Sequence, residues 1–301
     1  GLSINLRPAQ ADVVFKTASS FENTQQPIEA SIALYAHALA LAPDQDFYAL
    51  FLGRAYLGAA RAAKAADREK LYQQSEAALL EAERLAPLNT DHAANLGRLF
   101  RAWAGDTGDP ALRRERANAA DGYYRVATTL SPNSATLWNE WAALVFEELR
   151  DTARAQAYFE QSLAVDPLFS QTHNLSGRFD ELRGDSAAPA EQAAFYDRAI
   201  AEYRRAVETA RSQKEETEAR VNLAHLLEKR GETAAALEQN LALLDLPVTP
   251  GDVWEIHFAL ARQYQQLGDL EHARQHADLA LAAAPADKKA EAQKVVDGLK
   301  P

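Results

Sequence analysis

Large and small apolar residues fall at fixed offsets between Trp254 and Asp287. Leu260, Ala261 and Tyr264 share one side of a helix, Gly268 breaks it, Ala273, Ala277 and Ala280 mark a second helix, and Pro285 stops that one. Counted from Trp254 these are positions 7, 8, 11, 15, 20, 24, 27 and 32 of a 34-residue unit. The spacing predicts two short amphipathic helices packed antiparallel. Small residues at 8, 20 and 27 let the backbones approach, and large residues, which usually stand at 7, 11 and 24, fill the space between units. One such unit cannot bury its own apolar faces, so it must stack on copies of itself.

The copies are present. From residue 12 to 45, Phe15, Ala18 and Ser19 lie on a first helix, and Ser31, Tyr35, Ala38 and Pro43 hold positions 20, 24, 27 and 32. Asp46 is a good N-cap for a second unit (46–89) with Leu52, Gly53, Tyr56, Ser75, Leu79, Ala82 and Pro87. The third unit (90–134) carries Leu96, Gly97, Phe100, Ala120, Tyr124, Ala127 and Pro132. The fourth (135–169) has Trp138 and Trp141, then Ala155, Phe159, Ser162 and Pro167. The fifth (170–216) places Ser176 and Gly177 where Leu-Gly is expected, with Ala199, Tyr203 and Ala206 following. The sixth (217–253) offers Leu223, Ala224, Leu227, Gly231 and Ala236, with Asn240 where an aromatic is usual, and the seventh is 254–287. This pattern resembles the tetratricopeptide repeat (TPR). The resemblance covers nearly all of 12–287 and implies an all-α fold, an α-solenoid of seven helical hairpins in a right-handed superhelix. Residues 1–11 read as a linker and 288–301 as a polar C-terminal capping helix, which a solenoid end needs.

The prolines add a detail. Pro43 to Pro87 is 44 residues and Pro87 to Pro132 is 45, so the second and third units each carry about ten extra residues, and the fifth a similar excess. The surplus lies between the two helices of each unit, in 57–70, 101–116 and 183–194. These Ala-rich, charged segments are expected to lengthen the helices before the turn and to project along one edge.

Composition narrows the chemistry. Alanine is frequent, Gly (13) and Pro (12) are modest, and apolar residues make up 47% of 301, a balance that favours helix. A net charge of −11 argues against nucleic acid or an anionic membrane as partner. No apolar run approaches the roughly 20 residues that span a bilayer, so this piece is read as soluble. Cysteine and methionine are both absent. The missing Met implies an excised piece or a processed form. There is no phosphate loop, no dinucleotide fingerprint, no nucleophile elbow and no HExxH, so neither an enzyme nor a cofactor is expected. His272 and His276 have metal-compatible spacing but no evident third ligand, so a solvated helix face is the better reading and no metal is expected. Asp106 and Asp109 in GDTGDP fit a turn before a helix rather than a calcium loop. Asn174-Leu175-Ser176 matches a glycosylation acceptor formally but lies on an expected helix.

In TPR arrays the first helices line a concave surface, with positions 2, 5, 9 and 12 pointing into it. Position 9 here reads Ser20, Arg54, Arg98, Ala143, Arg178, His225 and Arg262, and Asn139 and Asn174 occupy position 5 in adjacent units. A row of guanidinium groups with amide neighbours suits carboxylates, backbone carbonyls, or sugar and phosphate oxygens. The candidate groove residues are therefore Arg54, Arg98, Asn139, Asn174, Arg178, His225, Phe258 and Arg262, with Glu181, Glu218, Glu228 and Glu255 available to pair with the arginines. Phe47 and Leu50 are apolar at positions 2 and 5 of the second unit and are expected either to form a hydrophobic pocket or to pack against the first unit. The carboxylate-clamp TPRs use a Lys and Asn pair at positions 5 and 9. Lys16 is present here but Ser20 replaces the Asn, so that specific function is not implied.

A narrower resemblance is carried by LALAPDQDFYALFLGRAYL (39–57), LAPLNTDHAANLGRLFRAWA (85–104) and SPNSATLWNEWAAL (131–144). These are similar to the soluble C-terminal TPR region of bacterial O-antigen ligase/polymerase-like membrane proteins. That resemblance implies a non-catalytic scaffold tethered to the bacterial membrane within a parent protein that assembles glycans, with any catalysis outside this chain. The expected partner is a protein or peptide bearing acidic groups. The alternative is a polysaccharide guided to a membrane enzyme.

Overall fold

The structure, a computed structural model, describes residues 6–24 and 26–299. Among the described residues all regular structure is helical. The chain divides into two compact units, the first ending at Val165 and the second beginning at Asp166. The first holds four antiparallel hairpins: α1 (Arg7–Asn23) with α2 (Ile28–Leu41), α3 (Asp46–Ala62) with α4 (Ala65–Leu85), α5 (Thr90–Gly105) with α6 (Pro110–Leu130), and α7 (Ala135–Leu144) with α8 (Thr152–Val165). The second holds three: α9 (Ser170–Ser186) with α10 (Pro189–Thr209), α11 (Gln213–Lys229) with α12 (Thr233–Leu243), and α13 (Pro250–Gln266) with α14 (Leu270–Ala283), followed by α15 (Lys289–Gly298). Within each unit every hairpin packs on the next, as an α-solenoid of TPR hairpins must.

Local details follow from the residues. Helix α1 begins at Arg7, inside the segment expected to be a linker, because Pro8 sits in its first turn, where a missing N–H costs nothing. Ala11 then packs at full burial beside Ala38 and Tyr48. Residues 1–5 of that expected linker and 300–301 of the expected cap lie outside the described residues. Helix α15 sends Ala292 inward, and Leu299 just past its end packs against Ala261, Ala273 and Ala277, while the Leu299 carbonyl accepts from Arg274 Nε at 2.7 Å. The fourth hairpin is one residue longer than the 34-residue unit. Its surplus is absorbed by a π turn, Val145–Leu149, that continues α7 and ends at Arg150 with φ 58°.

The extra residues of the second, third and fifth hairpins lengthen the second helix. Helices α4, α6 and α10 each run 21 residues, against 14 in α2, α8 and α14. The connections differ accordingly. In the sixth and seventh hairpins the chain reverses on a left-handed glycine, Gly231 (φ 75°) and Gly268 (φ 83°). In the second and fifth it reverses through two residues in extended conformation, Ala63-Lys64 and Ala187-Ala188.

In the second, third and fifth hairpins a large residue of the second helix is seated on a glycine of the first. A Cβ placed on Gly53 would stand 2.6 Å from Leu79 Cγ, one on Gly177 2.7 Å from Tyr203 Cδ1, and one on Gly97 3.1 Å from Tyr124 Cε2. Leu79, Tyr124 and Tyr203 are all fully buried or nearly so. The large residue at position 24 thus packs inside its own hairpin as well as between units. Buried serines add hydrogen bonds at the same level: Ser75 Oγ donates to Gly53 O at 2.7 Å, and Ser162 Oγ to Ala135 O at 2.8 Å.

The start of the second unit is held by a histidine. His173 is 7% exposed on α9, with Nδ1 2.7 Å from Glu202 Oε2 and Nε2 3.0 Å from Pro167 O. Both neighbours are acceptors, so only the doubly protonated ring satisfies both. Burial opposes the charge, but the hydrogen bonds to Glu202 and to the Pro167 carbonyl outweigh it, and the pKa is raised.

Two outcomes follow. Gly53→Ala places its Cβ inside the contact distance of Leu79 and is expected to lower stability by about 1–3 kcal/mol net. Gly122→Ala on α6, where nothing lies within 4 Å of the new Cβ, should raise stability by roughly 0.5–1 kcal/mol through helix propensity. Denaturant unfolding of both variants checks the pair. Because the folded-state pKa of His173 is raised, its contribution is complete below the unfolded value of about 6.5 and is lost as pH rises through the folded value. His173→Gln should therefore cost more stability at pH 5.5 than at pH 8.5, read from unfolding midpoints at the two pH values.

Candidate functional site

In the first unit, α3 and α5 flank a pocket of about 600 Å³. Helix α3 presents Phe47, Phe51, Arg54, Gly58 and Arg61 to it, a set spaced three, four and seven residues apart and so confined to one face. Helix α5 answers with Asp91, Asn95 and Arg98, and Asn89 lies at its N-terminus. The lower wall is apolar, with Leu50 and Leu57 buried and Phe47 left 46% exposed at the rim.

The guanidinium of Arg54 lies 4.9 Å from the Phe51 ring centroid and Arg54 is exposed. Among the described residues neither Arg54 nor Arg61 has a carboxylate in contact. Seven residues apart, the two stand about 10 Å from one another along the helix. Arg98 differs. It forms a bidentate pair with Glu140 on α7, with Nε 2.9 Å from Oε2 and Nη2 3.0 Å from Oε1, and the two side chains are 33% and 22% exposed. Burial works against its charge, yet the Glu140 pair raises its pKa. Arg98 thus joins neighbouring hairpins and is not open for a ligand in this arrangement.

The other expected groove residues are dispersed. Asn139 is 4% exposed, inside the packing of α7. Asn174 Oδ1 accepts from Asn222 Nδ2 at 2.9 Å, an amide bridge from α9 to α11, and Arg178 is exposed on α9. The His225 side chain is 71% exposed, 3.6 Å from Glu181. Phe258 tilts against Trp254 with centroids 5.7 Å apart, and Arg262 is exposed on α13. Of the eight, Arg54 and Arg98 line one pocket of the first unit. Arg61, Asn89 and Asn95 join them without having been expected. Arg61 escaped because α3 continues past the usual turn, carrying a residue of the surplus segment onto the inner face.

The lengthened helices of the second and third hairpins clamp one another away from that pocket. Trp103 stacks on Tyr72 at 5.5 Å, Arg116 lies 4.2 Å over the Trp103 ring, and Trp103 Nε1 donates to Glu69 at 2.9 Å. Arg116 also bonds Glu69 and Thr107, and Tyr72 Oη donates to Asp106 at 2.6 Å. Burial, reinforced by Asp106, pushes the Tyr72 hydroxyl well above its usual pKa. Arg113, from the start of α6, reaches Glu148 in the π turn at 2.7 Å. These contacts fix the hairpins that frame the pocket.

The histidines of the seventh hairpin make contacts within that hairpin. His272 Nδ1 bonds Asp269 at 2.7 Å, while His276 Nδ1 faces His257 Nδ1 at 3.0 Å. Burial lowers the pKa of both His257 and His276. Among the described residues no group of three or more His, Cys, Asp or Glu could hold a metal ion. Nor, among them, is any helix long and apolar enough to cross a membrane.

No protein-family model matches the chain, and no curated protein matches it. Solved structures do. Yeast Tom70 superposes with a TM-score of 0.61 at 15% identity, over 98% of this chain and 54% of that one. A tetratricopeptide repeat protein from Parabacteroides merdae gives 0.54 at 12% identity, over 96% and 98%. The human IFIT1 dimer with m7Gppp-AAAA gives 0.55 at 17% identity, over 90% and 58%. This chain therefore spans little more than half of the Tom70 and IFIT1 chains. At such identities the likeness concerns the fold, and the fold is that of a tetratricopeptide-repeat α-solenoid.

Proposed function

We propose that the protein is a non-catalytic scaffold that grips a partner peptide on its inner helix faces, with the arginine pocket of the first unit as the anchor for a carboxylate. The reading rests on one observation above all: Arg54 and Arg61 face a 600 Å³ pocket with no carboxylate of their own in contact. Arginine presents a planar fork matched to a carboxylate, and such charge-assisted bonds contribute about 1.5–3 kcal/mol each. The apolar wall of Phe47, Phe51 and Leu57 suits a bulky side chain next to that acid. A chain of net charge −11 repels an acidic partner at long range, but screening over about 8–10 Å leaves the local arginines to decide.

On the sequence resemblance alone, we place this scaffold in a glycan-assembly membrane protein of the O-antigen ligase/polymerase-like kind, tethered to the bacterial membrane through other parts of that protein. The half-exposed Phe47 ring at the pocket rim favours one second reading, a polysaccharide that stacks a sugar face there.

Titration with a labelled peptide bearing two glutamates beside a leucine separates the readings from one another. Arg54→Glu with Arg61→Glu should weaken that peptide at least tenfold, and raising salt from 50 to 500 mM should weaken binding to the unaltered protein. Equal affinity of the double variant removes the arginine anchor. Binding of a neutral oligosaccharide that is lost in Phe47→Ala but kept in the arginine double variant favours the polysaccharide.

A further inference from the structure

The second unit carries a pocket of about 390 Å³ between α11 and α13, and its character is opposite to that of the first. In the second, third and fifth hairpins the slot between position 8 and position 24 is filled by Leu79, Tyr124 or Tyr203. The sixth hairpin has Ala224 and Asn240 at those positions, and both line the pocket. Asn240 is 7% exposed, and its Nδ2 donates to Gln263 Oε1 on α13 at 3.1 Å, so its amide forms part of the pocket wall. The pocket floor is Leu243 and Ile256, buried at 1% and 7% exposure, and Val221 stands 48% exposed at the mouth.

Three carboxylates ring this apolar floor: Glu228 on α11, and Asp252 and Glu255 on α13. Asp252 accepts from Thr249 Oγ1 at 2.7 Å. Among the described residues none of the three has a lysine or arginine in contact. The one basic side chain of the lining, His225, turns towards Glu181, which also pairs with Lys229 at 3.6 Å. A greasy floor beneath three uncompensated carboxylates is complementary to a bulky aliphatic side chain next to a cation.

We infer that this second pocket binds a peptide segment carrying an arginine or lysine beside a leucine-like residue, the aliphatic group seating on the Leu243 and Ile256 floor and the cation meeting Glu228 and Glu255. The inference rests on the reading that inner helix faces grip peptides, and adds that the two units select opposite charges.

The test uses the full chain and a nine-residue labelled peptide with one arginine between two leucines and no acidic residue. It is expected to bind, to weaken at least tenfold in Glu228→Gln with Glu255→Gln, and to keep its affinity in Arg54→Glu with Arg61→Glu. Replacing its leucines by serine should also weaken it at least tenfold. Absence of binding, affinity unchanged in the glutamine double variant, or equal binding of a version with glutamate in place of arginine overturns the inference. If the acidic peptide still responds to the arginine variants while the basic one never binds, this inference fails alone. If only the basic peptide behaves as expected, the arginine anchor fails instead.

Discussion

The structure depends on close approach of the two helices of a hairpin, made possible in the second, third and fifth by a glycine opposite a large residue. Gly53 under Leu79, Gly97 under Tyr124 and Gly177 under Tyr203 bring the backbones together, and everything else is built on that spacing. The contact exposes a face of each first helix, because the second helix covers only the other side. Stacking then buries the flanks and leaves the inner face open. Binding surface is in this sense a by-product of how the hairpins close, and a change in the closing residue changes the surface.

Charge is handled differently on the inner and lateral faces. Where an arginine reaches the neighbouring hairpin it is neutralised there, as Arg98 is by Glu140 and Arg101 by Glu147 at 2.7 Å. Such half-buried pairs fix the angle between hairpins at a modest gain in stability. Where a charge lines a pocket without an ion-pair partner among the described residues, it is available to a ligand. Arg54 and Arg61 in the first unit, and Glu228 and Glu255 in the second, are in that position. The overall charge of −11 hides this division, since it averages over two pockets of opposite character.

Much of the fold was legible in the order of residues, because glycine, proline and the large–small alternation are local signals with direct backbone consequences. Gly231 and Gly268 stand where a left-handed turn is needed, and the surplus residues of the second, third and fifth hairpins do lengthen helices. The start of α1 was harder to read, since Pro8 suits both a loop and a first helical turn. The site was less legible. Glu140 lies 42 residues from Arg98, and no helical period links them, so the pairing appears only when α5 and α7 are placed side by side. Arg61 was hidden because the offsets of a 34-residue unit end before it. The acidic rim of the second pocket was read as counter-charge for arginines, whereas Glu228 and Glu255 face the pocket mouth.

The most direct test of the closing contact is whether its sign depends on the partner. Gly177→Ala in the unaltered protein forces a Cβ to within 2.7 Å of the Tyr203 ring and is expected to destabilise it by about 1–3 kcal/mol. In a Tyr203→Ala background the same change meets no ring, and helix propensity should make it stabilising by up to about 1 kcal/mol. Unfolding free energies of the four proteins decide the matter. A reversal of sign supports hairpin closure by the glycine–aromatic contact, and an equal effect in both backgrounds contradicts it.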